Sequence, residues 1–156
     1  MIEIQITNQQ SALQFDCNVL GEAVRVVLGD YGFGTGVVDV AVVDDGTIHS
    51  VNREHLKHDY PTDVISFQYV RNAHHIEGEL VVSADTAILI AQEAGWEATS
   101  ELLLYVIHGT LHLVGMDDHS PALRGEMQTK ERHYLGLFGI QRCELPAEGR
   151  LKRDLF

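Results

Sequence analysis

This sequence predicts an α+β fold: one domain in which a small mixed sheet packs against helices, one of them central and buried. Three observations point there. Segments with strand periodicity fall mostly early in the chain and segments with helical periodicity mostly late, while residues 97–114 are almost uniformly apolar. The strands begin at IEIQIT (residues 2–7), where apolar and polar side chains alternate as on a half-exposed strand. Ser11 is then the expected cap of a helix reaching Leu28, with Leu13, Val19, Ala23, Val26 and Val27 on its apolar face and Gly29 as its stop. VVDVAVV (37–43) reads as a second strand, closed by the turn signal Asp44-Asp45-Gly46, and a short helix follows over 47–56. Pro61 marks a loop. VISFQYV (64–70) and ELVVS (79–83) are the last strands, a hairpin across the polar stretch with Asn72, His74 and His75.

Ser83 stands where an N-cap belongs, and ADTAILIAQEA runs helically from it to a stop at Gly95. Over 97–114, Leu102, Leu103, Val106, Ile107, Leu111 and Val114 spread around most of a helix circumference, which calls for a central, largely buried element. Gly115 breaks it. Ser120-Pro121 then supplies a cap and a first-turn proline for a final helix to about Phe138. With no internal repeat or linker, residues 1–156 read as a single domain, with about 140–156 forming a C-terminal tail.

The chain has 156 residues, long enough to bury roughly two-thirds of its unfolded surface. Its 45% apolar and 22% charged content is that of an ordinary globular domain. No apolar run reaches the roughly 18 residues that span a bilayer, so no membrane partner is expected. The start lacks the basic and apolar regions of a secretory signal, and Cys17 and Cys143 lie far apart in no CxxC pattern. Free thiols in a reducing cytoplasm follow as the expectation. A formal charge of −12 argues against a protein that coats polyanions, though it leaves room for a local site. The short basic groupings Arg124, Lys130, Arg132 and Arg150, Lys152, Arg153 read as solvated surface.

The chemistry concentrates in HGTLHLVGMDDH (108–119). His108 and His112 lie four apart on the buried helix, about 40° apart around its axis, so both rings project from one face and can share one ion. Gly115 lets the chain reverse, bringing a later residue back toward that ion. Three protein ligands with an open position describe a catalytic zinc site. His49, His55, His58, His74, His75 and His133 lie in polar or charged surroundings and read as surface residues. Proteases of the HExxH type carry glutamate after the first histidine as general base; here that position is Gly109, which weighs against proteolysis.

These residues resemble the YbeY-type endoribonucleases, a family of rRNA maturation factors. The resemblance rests on NREHLKHDYPTDVISF (52–67), EGELVVSADTA (77–87) and GWEATSELLLYVIHGTLHLVGMDDH (95–119), in that order. It implies a zincin-like α+β fold and one zinc ion held by three histidines. It also implies a cytoplasmic, single-strand-directed ribonuclease that matures ribosomal RNA, notably the 3′ end of the small-subunit RNA. Such a protein works with ribosomes or ribosome-assembly proteins and serves ribosome quality control. Thr62, Asp63 and Ser66 would lie near the site. Two positions depart from the pattern. The family spacing H-x3-H-x5-H places the third ligand at residue 118, here aspartate, with histidine one residue later. Either the turn absorbs the extra residue, and His108, His112 and His119 hold the metal, or Asp118 takes the position. The second departure is Leu56, which stands where many members carry arginine; Arg53 and Lys57 are the candidates to supply that charge to substrate.

His119 precedes the last helix, whose positive end would help keep the ring neutral. Asp118 is the catalytic candidate, able with Asp117 to orient a ligand or handle a proton, although both also suit a turn and a helix cap. The alternatives are a zinc-stabilised, non-catalytic ribosome assembly factor and, further off, a metallopeptidase.

Overall fold

The computed structural model describes residues 1–58 and 62–141. Pro61, Cys143, the basic grouping at 150–153 and most of the expected tail fall outside them. The elements run β1 (Ile2–Asn8), α1 (Cys17–Asp30), β2 (Thr35–Val43), α2 (Asp45–Leu56), β3 (Val64–Arg71), β4 (His75–Ser83), α3 (Ala84–Ala94), α4 (Ala98–Leu113) and α5 (Pro121–Leu137). The four strands form one mixed sheet in the order β1-β2-β4-β3. β1 and β4 both pair in parallel with β2, and the hairpin partner β3 runs antiparallel along the β4 edge.

Strand periodicity sorts the side chains onto two faces. Val38, Val40 and Val42 of β2 and Ile76, Leu80 and Val82 of β4 join the main core with residues of α1, α3, α4 and α5. Val43, Ile65 and Val81 face the other way and meet Ile48 of α2 in a smaller cluster. The sheet is thus covered on both sides, thickly by the α4 layer and thinly by α2. Every residue from Ser100 to Leu111 is buried, which is why α4 is apolar nearly all round.

The α1 start corrects the expectation at Ser11. The cap is Asp16, whose carboxylate accepts from the Asn18 amide, and the helix begins at Cys17. The Gln10 side chain makes both backbone bonds of Leu13, accepting from its N–H and donating to its carbonyl at 2.9 Å each, so that stretch is held out of helical form. Leu13 and Phe15 still pack on the core, which is how an irregular segment imitates an amphipathic one. β4 also starts earlier than expected, at His75, because the nine residues of β2 pair with it along their full length.

Caps behave as their residue types demand. Ser83 accepts from Thr86 N, Ser120 accepts from Leu123 N, and Gly95 closes α3 in the left-handed region. Cys17 is exposed and unpaired among the described residues. Among those residues no helix is long and apolar enough to cross a membrane.

Candidate metal centre

The site is built at the C-terminal end of α4 and the turn that follows. Gly115 adopts φ 102°, and two hydrogen bonds close the helix: Gly115 N donates to His112 O, and Met116 N to Leu111 O, each at 3.0 Å. This paired pattern turns the chain sharply back over the last turn of the helix. The reversal carries the Met116 carbonyl to His112 Nδ1, 2.9 Å away. A carbonyl only accepts, so it holds a proton on Nδ1, and the neutral ring presents its Nε2 lone pair toward His108 and Asp118.

His108 is oriented the same way by another partner. Its Nδ1 lies 2.6 Å from Oε2 of Glu131, a residue of α5 with no solvent exposure. A carboxylate behind an imidazole fixes its tautomer and strengthens it as a ligand through the opposite nitrogen. The two Nε2 atoms meet at 3.0 Å. Asp118 Oδ2 completes the group, 3.6 Å from His108 Nε2 and 3.5 Å from His112 Nε2. Donors about 2.0–2.1 Å from a tetrahedral zinc ion stand about 3.3 Å from one another, so the three atoms fit the corners around one ion. His108, His112 and Asp118 can hold a metal ion.

Local charge favours that reading. Burial, the largest single influence on His112, pulls its imidazole toward neutrality. The Asp118 hydrogen bond and charge, the Met116 carbonyl and the Glu131 charge outweigh it and raise the pKa above the ordinary value. Burial likewise pushes the Asp118 carboxyl up, but the hydrogen bond and charge of His112, with His108 and His119, hold it below the usual carboxylate range. The cluster draws positive charge to its centre.

The expected third histidine stands elsewhere. His119 is 76% exposed, and its Nε2 lies 3.2 Å from Asp117 Oδ1. It belongs to a second, outer group with Asp117 and Asp118 and does not join His108 and His112. The reason is the turn: Asp117 Oδ1 accepts the backbone N–H groups of both Asp118 and His119, which leaves Asp118 facing inward and His119 on the rim.

An open cleft of about 520 Å³ lies over these residues. Thr62, Asp63 and Ser66 line it, as the family resemblance implied. Asp63 Oδ1 accepts from the adjacent Val64 N, and Ser66 Oγ donates to Gly109 O, tying β3 to α4. Arg53 and Lys57 are not among the described residues that line the cleft. Arg53 is exposed in the last turn of α2, and Lys57 ends that helix in the left-handed region, at φ 62°. Among the described residues that line the cleft, the one arginine or lysine is Arg71. Gly109, meanwhile, sits close to the sheet: a Cβ there would come within 2.9 Å of Leu80 Cδ2 and 3.0 Å of Val64 Cγ2, so those side chains would have to shift. The general base of an HExxH protease is missing here, and a glutamate in its place would crowd Leu80 and Val64.

Two of these residues escaped the sequence reading. Glu131 had a signal, since Met127, Glu131, Tyr134 and Leu135 are the buried stripe of α5 and a carboxylate on such a stripe needs a partner. Arg71 had none, because simple alternation from Val64 assigns it to the opposite face of β3.

Fold and site together define a class of protein: an α+β domain with an HxxxH metal centre at the floor of an open cleft. Residues 5–139 match the family model Endoribonuclease YbeY, and the chain belongs to that family. Endoribonuclease YbeY of Rhodopirellula baltica is 48% identical over 124 residues, 78% of this chain, and the match spans 64% of that relative's own length. The protein of the same name from Carboxydothermus hydrogenoformans is 34% identical over 142 residues, covering 88% of this chain and 99% of its own. Among solved structures, the solution structure of a Thermotoga maritima protein superposes with a TM-score of 0.58 at 28% identity, covering 86% of this chain and 87% of the other.

Proposed function

We propose that this chain is a cytoplasmic zinc-dependent endoribonuclease that cleaves single-stranded RNA in ribosomal RNA maturation. We place its work at the 3′ end of the small-subunit RNA and in ribosome quality control, in contact with ribosomes or their assembly proteins. The observation that carries the reading is the convergence of His108, His112 and Asp118 on one point beneath an open cleft. A structural zinc site closes with a fourth side chain, whereas three donors facing a cleft leave a position for substrate or water.

When bound, the ion supplies Lewis-acid stabilisation of charge on a phosphoryl oxygen. The chain does the rest. Glu131 and the Met116 carbonyl hold the two imidazoles with Nε2 inward. Asp118 contributes the third donor, so it acts on the ion and is not free to shuttle protons. Thr62, Asp63 and Ser66 line the same cleft, where a strand of RNA would lie.

The test is cleavage of a single-stranded fragment of small-subunit RNA and of its duplex by zinc-loaded protein, with His108→Ala as control. Cutting of the single strand alone, absent in a folded His108→Ala protein, is expected. Equal cutting by that variant would remove the metal site from the reaction.

A further inference from the structure

We infer that Arg71 receives an RNA phosphate in the cleft, supplying the charge that Leu56 does not. The inference rests on the ribonuclease reading above and adds a substrate-positioning residue to it.

The first observation is a β-bulge. β3 pairs with β4 in regular register through Phe67↔Glu79 and Gln68↔Gly78, then skips one residue and resumes at Val70↔Glu77 and Arg71↔Ile76. Tyr69 is the extra residue. Without it, alternation would place Arg71 on the face of Phe67 and Tyr69, which stack with ring planes 4° apart on the α2 side. With it, Arg71 pairs with Ile76, a main-core residue, and shares a face with Ser66 and Gln68, which bond to α4. One inserted residue therefore re-aims the arginine into the cleft, a common use of bulges beside active sites.

The second observation is the space that receives it. The Arg71 guanidinium lies directly over Gly115, and a side chain at 115 would run into Arg71 Nη1. Gly115 thus serves twice, turning the chain after α4 and leaving room for the guanidinium beside the metal ligands.

The third is charge. Arg71 carries the only lysine or arginine charge among the described residues lining the cleft, beside Asp117 and Asp118. It has no carboxylate partner among the described residues. In a chain of net charge −12, Arg71 is the fixed cation that the described lining of this cleft offers to a phosphate. A guanidinium fork matches phosphate geometry, and an unpaired one costs no ion pair to recruit.

The experiment compares wild type, Arg71→Gln, Arg71→Lys, Arg53→Gln and Lys57→Gln. Binding of a fluorescein-labelled uridine oligoribonucleotide is followed by anisotropy across a salt series with chelator present, and cleavage of the same RNA is followed with zinc. Arg71→Gln should raise KM about tenfold with a smaller change in kcat, and flatten the salt slope of binding by about 0.7, the loss of one single-strand phosphate contact. Arg71→Lys should recover most of both, and the Arg53 and Lys57 variants should match wild type. An active wild type whose Arg71→Gln form keeps the same KM and slope would overturn the assignment while leaving the ribonuclease intact. A wild type that neither binds nor cuts RNA would defeat the function itself, and the inference with it.

Discussion

His108 and His112 face each other through Nε2 atoms 3.0 Å apart, and each ring holds its Nδ1 proton against a different acceptor, Glu131 for one and the Met116 carbonyl for the other. With both rings neutral, two lone pairs meet at that distance, and a bound cation or an added proton relieves their repulsion. The arrangement makes sense as a ligand pair and poorly as packing.

Zinc content separates the two readings of the turn. Wild type and His119→Ala should each retain one zinc per chain after desalting. Asp118→Ala should lose affinity by more than the roughly 10–100-fold that removing a partner behind a ligand costs. The reverse pattern, with His119→Ala emptied and Asp118→Ala full, would return the third position to His119.

Glu131 should matter to the metal without touching it. Glu131→Gln keeps the shape but removes the charge behind His108, and zinc affinity should fall about 10–100-fold. Competition with a chromophoric chelator reads this directly; an unchanged affinity would reduce Glu131 to a packing residue.

Gly109 should be intolerant for a steric reason. Gly109→Ala drives a methyl group to within 2.9 Å of Leu80 Cδ2 and 3.2 Å of Ser66 Oγ. The expected cost is about 1–3 kcal/mol in urea denaturation, despite the better helix propensity of alanine. A neutral or stabilising result would mean that α4 can move off the sheet.

Tyr134 offers a pH signature far from the metal. Its hydroxyl donates to Asp30 Oδ2 at 2.9 Å. Burial first, then the Asp30 hydrogen bond and charge, with Tyr31 adding a little, raise its pKa well above the ordinary tyrosine value. A folded pKa above the unfolded one means this stabilisation is fully present below pH ~10 and lost as pH climbs through the raised value. Tyr134→Phe should cost about 1 kcal/mol at neutral pH. In an alkaline titration of phenolate absorbance it should delete the last step; survival of that step would assign it to another tyrosine.

Much of this protein follows from neighbours in the chain. The pairing of His108 with His112 is helical geometry, and the burial of their helix follows from Leu102, Leu103, Val106, Ile107 and Leu111 encircling it. Ser83, Gly95, Ser120 and Pro121 mark their helix ends because capping is chemistry within a few residues. What needed the folded molecule were choices made between distant segments or by a single residue of register. Asp118 lies nearer His108 and His112 than His119 does, because the hydrogen bonds of the turn after Gly115 set which side chain faces inward. Glu131 reaches His108 across 23 positions only when α5 packs on α4. Arg71 enters the cleft because Tyr69 bulges, and Ser11 loses its helix because Gln10 claims the backbone of Leu13. Periodicity describes a regular segment well, but one inserted residue exchanges the two faces of a strand, and only competing contacts across the fold determine where that residue goes.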